Sequence, residues 1–420
     1  MKLLCTGDLH VGRRSSGLPS DEKHSCAAGW SRVVDTALTE KVDVVLLSGD
    51  LMDRDNLFFE AAGPLETGLR RLVDEEIHVC AVAGNHDFEA LPQFFNPIAG
   101  DYLHLLGLDG RWESQIIERN GDKLRVVGWS FPSQHVSVNP LDSFQVEDDN
   151  IPTIGLLHCD VDSSDNKYAP TPLNDLKGKD NLSFWLIGHI HLPAQYDGDG
   201  PLVLNPGSPQ AMHPNERGDH GPWIVELNGK TLSETRQIIT STVKYCPMEV
   251  DISSYRIEEI KQSVLEEIRN LRKEQARDTD RVISTRIKIT GKSDIYANIR
   301  KELSTLETAT VNNVHIESIT YETSRPLDLE SLANGKSAAA VAAQVLLCIE
   351  NKTLAQEHSD LLKNTLDKMR SVYEANAYVN ISDNKSENEE DAPPDEQAAV
   401  DILYAQCTAL LDALMNGDRK

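Results

Sequence analysis

An α/β layered sandwich is the fold class that residues 1–240 predict, and two observations carry it. Compact apolar runs, many of them β-branched, each end at a glycine or a polar turn. Helix-length stretches separate the earlier runs, and strand–helix–strand alternation of this kind builds layers of helix on sheet. A third observation bounds the sandwich: near Thr240 the pattern changes to that of a smaller α+β domain, then to helices alone.

Taken in order, residues 3–5, 42–47, 79–83, 124–127, 154–157, 184–187, 202–204 and 223–227 read as strands, with helices around 30–38 and 58–72. The later part is richer in strands and glycine turns, so a mixed pair of sheets fits better than one parallel sheet. Beyond Thr240, Ile257, Ile260, Val264, Ile268 and Leu271 recur at three- and four-residue spacing, the mark of an amphipathic helix. A strand at 282–289, a helix near 295–306 and a strand at 314–320 complete an α+β domain over 241–334. From Gly335 the chain is helical, at 338–349 and 354–373. Residues 380–397 are acidic, contain Pro393-Pro394 and have the composition of a linker. In the last helix Val400, Leu403, Cys407, Leu410 and Leu414 are spaced 3-4-3-4, a seam about two heptads long. Such a seam either packs on its own domain or docks a partner helix.

Composition removes several classes. No run of eighteen apolar residues is present, so no membrane-spanning helix is expected. The first residues read as a strand and lack the apolar stretch of a signal peptide, and a cytoplasmic protein is expected. Seven scattered cysteines with no Cys-x-x-Cys pair exclude a zinc ribbon and fit a reducing compartment. The formal net charge is −26, and residues 1–240 hold 19 basic against 36 acidic residues. A self-sufficient nucleic-acid binder usually carries a basic footprint. Any nucleic-acid binding here is therefore local, with cations or a partner supplying positive charge; a high-salt habitat is the other source of such acidity. Gly291-Lys292-Ser293 and Gly335-Lys336-Ser337 imitate the end of a phosphate loop, but Arg286 and Glu330 stand where the earlier glycine is required.

Five short clusters hold nearly all the chemistry: Gly7-Asp8-Leu9-His10, Gly49-Asp50-Leu51-Met52-Asp53, Gly84-Asn85-His86-Asp87, Leu157-His158 and Gly188-His189-Ile190-His191. Each follows an apolar strand-like run, and in α/β sheets ligands gather outside the carboxyl ends of strands. Two aspartates, one asparagine and four histidines mix hard oxygens with imidazoles, which favours manganese, iron or zinc over an all-oxygen magnesium or calcium cage. Two such cations, bridged by one carboxylate, suit phosphate ester cleavage because they hold the non-bridging oxygens and stabilise the leaving oxygen. An unligated histidine beside them can protonate that oxygen.

The five clusters in this order resemble the calcineurin-like metallophosphoesterase superfamily over residues 1–240. Within it the sequence is similar to the nuclease subunit of bacterial SbcCD double-strand-break repair exonucleases and their YhaO-type relatives. The narrower likeness rests on Asn205-Pro206-Gly207-Ser208-Pro209-Gln210 and on the segment from His213 to Gly218-Asp219-His220-Gly221-Pro222-Trp223. The resemblance implies a four-layer α/β/β/α sandwich at 1–240, a DNA-capping domain at 241–334 and partner-docking helices at 335–420. It implies two divalent metals, manganese foremost: one on Asp8, His10, Asp50 and His191, the other on Asn85, His158 and His189, with Asp50 bridging. His86 would be the general acid, and Asp87 would orient its loop. Asp53 stands where relatives carry histidine or aspartate and receives no firm role. Cys159 replaces the small or polar residue expected after His158, which leaves that loop's substrate contacts open.

Arg13, Arg14, His213 and His220 lie close enough to the clusters to be candidates for phosphate contact; otherwise they are solvated loop or core residues. Phe58, Phe59, Phe94 and Phe95 read as core or as a nuclease-domain homodimer interface. The resulting expectation is a manganese-dependent DNA exo/endonuclease, homodimeric, acting on double-stranded DNA ends with an SbcC-like, SMC-type coiled-coil ATPase. Two rival readings are a small-molecule or nucleotide phosphodiesterase of the same superfamily, and a mainly structural DNA-end clamp that regulates the ATPase.

Overall fold

A computed structural model describes residues 1–53, 61–95, 98, 100–147, 149–163, 167–253, 255–275, 281–293, 298–324, 327–373 and 394–416. Phe58 and Phe59, and residues 380–393 of the acidic linker, lie outside the described residues. The chain divides into two compact units, one of residues 1–250, 262–288 and 304–320, the other of residues 251–261, 289–303 and 321–420.

The first stretch of the chain contains β1 (Lys2–Thr6), α1 (Cys26–Glu40), β2 (Val44–Leu47), α2 (Ala62–Asp74), β3 (His78–Ala81), α3 (Leu91–Phe95) and β4 (Leu103–Leu105). Then come β5 (Glu113–Arg119), β6 (Asp122–Trp129), β7 (Thr153–His158), α4 (Leu173–Lys177), β8 (Phe184–Gly188), β9 (Ala194–Tyr196) and β10 (Leu202–Asn205). After them lie β11 (Trp223–Asn228), β12 (Thr231–Gln237), β13 (Val243–Tyr245), β14 (Met248–Asp251), α5 (Ile257–Glu274) and β15 (Val282–Lys292). The remainder is α6 (Ile299–Leu303), β16 (Thr310–Val311), β17 (Val314–Ser324), α7 (Leu329–Ala333), α8 (Ala338–Glu350), α9 (Leu354–Glu357), α10 (Ser359–Tyr373) and α11 (Glu396–Asn416).

Two six-stranded sheets build the sandwich, in the orders β12-β11-β1-β2-β3-β4 and β5-β6-β7-β8-β10-β9. In the first, β1 to β4 pair in parallel and β11 joins β1 antiparallel. In the second, β6, β7, β8 and β10 are parallel, with antiparallel strands at both edges. Side chains alternate across each strand, so Leu3 and Cys5 of β1 enter the layer between the sheets with Val126, Ile154, Leu156 and Leu186. Leu4, one residue out of phase, packs instead under the helices with Trp30, Val34, Leu65 and Leu69 of α1 and α2. The far face of the second sheet is covered by Leu176 of α4 and by Phe131 and Leu141. The order is helix, sheet, sheet, helix, the mixed α/β sandwich expected. Ser25 caps α1 by accepting from Ala28 N at 3.0 Å, and Lys41 ends it in a left-handed turn.

A third sheet runs β13-β15-β17-β16, with β14 on β15, and the division between the units falls within β15 and β17. Ile260, Val264 and Ile268 of α5 are buried, at the spacing read from sequence.

In the second unit the expected helix over 354–373 is two, α9 and α10, broken at His358. Of the two readings of the C-terminal seam, packing within its own unit holds for Val400, Leu403 and Cys407. Ala399, Leu403 and Leu411 are buried against α8 and its neighbours, whereas Leu410 and Leu414 are exposed. A strict 3-4 repeat averages 3.5 residues and drifts around a straight helix of about 3.6 per turn, and the buried stripe here follows the wider path of a helix packed on its own bundle. Among the described residues no helix is long and apolar enough to cross a membrane.

Candidate metal centre

Parallel strands from both sheets deliver the five clusters: β1, β2 and β3 end in the first three, β7 and β8 in the last two. Their loops are tied to one another by backbone hydrogen bonds. Asp8 N donates to Gly49 O and His10 N to Asp50 O, both at 3.0 Å. His189 N donates to the Asp8 carboxylate at 3.1 and 3.2 Å. The turns are tight enough to force Asp8, His10, Asp50 and His189 into positive φ, at 47°, 41°, 50° and 99°. Such conformations cost about 1–3 kcal/mol each and persist where the surroundings over-determine them. Glycine is required at two points: a Cβ on Gly84 would lie 2.1 Å from Asp50 Oδ1, and Gly49, at φ +99°, would place one 2.6 Å from His158 Nδ1.

Two ligand sets result. The ligand atoms of Asp8, His10 and His191 lie within 4.8 Å of one another, as do those of Asp50, His158 and His189. His10 Nε2 and His191 Nε2 are 3.0 Å apart. Asp50 Oδ2 faces both sets, 3.8 Å from His10 Nε2 and 3.4 Å from His158 Nε2. Asn85 brings its Oδ1 to 3.1 Å from His158 Nε2. A third group of the same compactness joins His10, Asp53 and His86.

The donor chemistry fits divalent cations. His158 Nδ1 is 2.9 Å from the Ser48 carbonyl, so that nitrogen carries the proton and Nε2 of the neutral ring is a lone pair. That lone pair faces the Asn85 and Asp50 oxygens, three acceptors that converge on one point: a second proton on the ring satisfies them in the metal-free chain, and a divalent cation can take that proton's place. Burial makes the conflict costly: Asp8, His10, Asp50 and His158 are all at most 2% exposed.

The ionisation equilibria carry the same signature. Burial raises the Asp8 carboxyl to about 6 and depresses His10 to about 4. Burial, followed by the charge of His158, drives His189 down to about 3. At Asp50 burial acts upward, but the charge and hydrogen bond of His158, with His10 and His86, hold the carboxyl well below the usual range. At His158 burial acts downward, and Asp50 overcomes it to raise the ring to about 9. Each of this pair is ionised because the other is.

His86 stands at the mouth, its side chain 29% exposed and its Nε2 4.0 Å from Asp50 Oδ2. Its backbone N donates to Asp50 Oδ1 at 2.9 Å, which fixes the loop. Asp87 is buried and accepts from Gly84 N at 2.9 Å and Leu51 N at 2.7 Å, tying the second cluster to the third. Burial raises its carboxyl to about 7. Asp53 forms an ion pair with Arg13 Nε at 2.5 Å, so Arg13 is already engaged beside the site. Arg14 pairs with Glu22 at 2.7 Å. His213 is exposed. His220 is fully buried, with Nδ1 2.8 Å from Ser208 O, a placement that supports a loop. Phe95 is buried in the helical core layer and Phe94 packs against it.

One residue that the sequence reading passed over stands beside the ligands. Glu216 is 6% exposed and its Oε1 lies 2.9 Å from His191 Nδ1. It belongs to the segment after His213 singled out for family likeness, but nothing in its local sequence marks it as facing a ligand.

Residues 1–193 match the family model for the calcineurin-like phosphoesterase. Over 214 residues the chain is 29% identical to an uncharacterised metallophosphoesterase, YhaO, of Bacillus subtilis strain 168, covering 50% of this chain and 52% of that protein. Over 249 residues it is 29% identical to the DNA double-strand break repair protein Mre11 of Sulfolobus acidocaldarius, covering 54% of this chain and 61% of the relative. The Mre11 protein of Methanocaldococcus jannaschii is 26% identical over 245 residues, 55% of this chain and 64% of its own. The chain thus spans between about half and two thirds of the length of these relatives.

Proposed function

We propose that this chain, whose residues 1–193 are a calcineurin-like metallophosphoesterase domain, is a manganese-dependent DNA exo/endonuclease and the nuclease subunit of an SbcCD-like double-strand-break repair complex. The observation that carries the reading is the pair of adjoining ligand sets with the Asp50 carboxylate facing both. The similarity to Mre11 repair proteins supports DNA as the substrate.

In this reading Asp8, His10 and His191 would hold one divalent ion and Asn85, His158 and His189 the other, with Asp50 shared between them. When bound, the two ions supply positive charge to the phosphate oxygens and activate the attacking water. The chain's own work lies around them. His86, at the open side and close to Asp50, gives a proton to the departing sugar oxygen, and Asp87 keeps the His86 loop against the second cluster. Arg13, Arg14, His213 and His220 are the candidates for contacts to neighbouring phosphates. Residues 1–240 act as the nuclease domain and pair as a homodimer, residues 241–334 cap the DNA, and residues 335–420, with the 380–397 linker, dock a coiled-coil SMC-type ATPase in the cytoplasm. That partner supplies the basic surface that an acidic nuclease domain lacks.

The test is manganese-dependent cleavage of end-labelled linear duplex DNA beside a small chromogenic phosphodiester, with His86→Ala as control. Shortened DNA with wild type and none with His86→Ala is expected. Cleavage of the small diester alone, unchanged when the ATPase is added, would replace this reading with that of a small-molecule phosphodiesterase. A metal-dead Asp50→Ala chain that still restores repair in cells would favour the structural clamp.

A further inference from the structure

We propose that Glu216 is a positioning residue for the metal centre, the carboxylate that sets the tautomer and aim of His191. This rests on the dinuclear reading above and adds to it a residue outside all five clusters. A metal-bound imidazole depends on its other nitrogen, because a hydrogen bond there fixes which nitrogen carries the proton and where the ring points. Glu216 Oε1 lies 2.9 Å from His191 Nδ1, so the proton sits on Nδ1 and the Nε2 lone pair is turned towards His10 Nε2, 3.0 Å away.

The carboxylate is itself held. Its Oε2 accepts from Met212 N at 2.7 Å and from Ser208 Oγ at 3.0 Å. The same segment grips the His191 backbone: Ser208 N donates to His191 O at 2.9 Å, and Asn205 Nδ2 donates to Ile190 O and Leu192 O at 2.8 and 3.0 Å, on either side of the histidine. Tyr245 Oη reaches Met212 O at 3.2 Å and Ser16 O at 2.7 Å, fastening this segment to the loop that follows the first cluster. Ring and backbone of one ligand are thus governed by a single stretch, residues 205–216, and Glu216 is where that stretch meets the ring.

Glutamine keeps the shape but replaces one acceptor oxygen by a donor. Facing Met212 N with its oxygen, it presents NH₂ to His191 Nδ1 and moves the ring proton to Nε2, the metal-binding nitrogen. The experiment is a manganese(II) titration of the full chain, wild type against Glu216→Gln, followed by calorimetry and by electron paramagnetic resonance of the bound ions. Wild type should take two ions and show a coupled pair. Glu216→Gln should weaken one ion by about 10–100-fold and leave the other at its wild-type affinity, so that an uncoupled single-ion spectrum dominates at intermediate manganese. Ser208→Ala, which removes one donor to the carboxylate and leaves His191 untouched, should give the same selective loss at smaller size, and it serves if the glutamine variant fails to fold. Unchanged binding of both ions in the folded variants would overturn the inference, and so would an equal loss of both, which marks mere loosening of the loop. Failure of the wild-type chain to bind manganese would overturn the dinuclear reading itself, and with it this inference, before any substitution is made.

Discussion

His158 and His191 enter the site from neighbouring strands of one sheet, yet they are supported by different means. His158 is the last residue of β7, fully buried, with its Nδ1 on a backbone carbonyl, Ser48 O at 2.9 Å. His191 lies three residues beyond β8, a quarter of its side chain is exposed, and its Nδ1 is on a side-chain carboxylate carried by a loop. His158 is built into the sheet and cannot be adjusted without moving a strand. The aim of the His191 ring is set by a single loop. The difference teaches that ligand identity alone does not define such a centre; the second hydrogen bond of each ring decides how rigidly it is held.

Predictions that break or sharpen this contrast run from large to small. Asp50→Ala removes the carboxylate that faces both sets, and manganese stoichiometry by calorimetry should fall from two to at most one weak ion, with hydrolysis at background. Next is His86→Ala, which should lower the turnover of either substrate by about 10²–10⁴-fold while both ions remain bound, seen by metal analysis after desalting. Retained turnover would remove His86 from its role in either half. Gly84→Ala puts a methyl group against Asp50 Oδ1, where a Cβ would stand at 2.1 Å, and should weaken both ions more than it lowers the unfolding temperature. A pH prediction bears on the His158 half. In the metal-free chain His158 is held protonated by Asp50, its pKa raised to about 9. Binding an ion needs its neutral Nε2, so at neutral pH that half must release a proton. Its apparent affinity should rise by about tenfold per pH unit until about pH 9 and then level off; proton release counted in buffers of different ionisation enthalpy checks this. The smallest effect is expected at Arg13→Ala, a loss of DNA affinity of a few-fold, with the slope of affinity against salt reduced by about one.

Much of this was legible in the amino-acid sequence, and what was not has a pattern. Each run read as a strand before Thr240 is a strand, and each is flanked by neighbours on both sides. The four strands of the two sheets that were not read, β4, β5, β9 and β12, are the four edges. Edge strands pair on one side and face water more, so the polar runs Glu113–Arg119 and Thr231–Gln237 show little apolar alternation. In the site, the five clusters announce themselves because the loop after each strand is short and the polar residue follows a glycine or the strand itself. Glu216 does not, since it meets His191 only through the fold, 25 positions along the chain.

The central claim, two ions sharing Asp50, is tested most directly by anomalous diffraction from crystals of the full chain grown with manganese. Two anomalous peaks are predicted, one among Asp8, His10 and His191 and one among Asn85, His158 and His189, each in contact with Asp50. A single peak, or one lodged among His10, Asp53 and His86 with Asp50 uninvolved, would contradict the account.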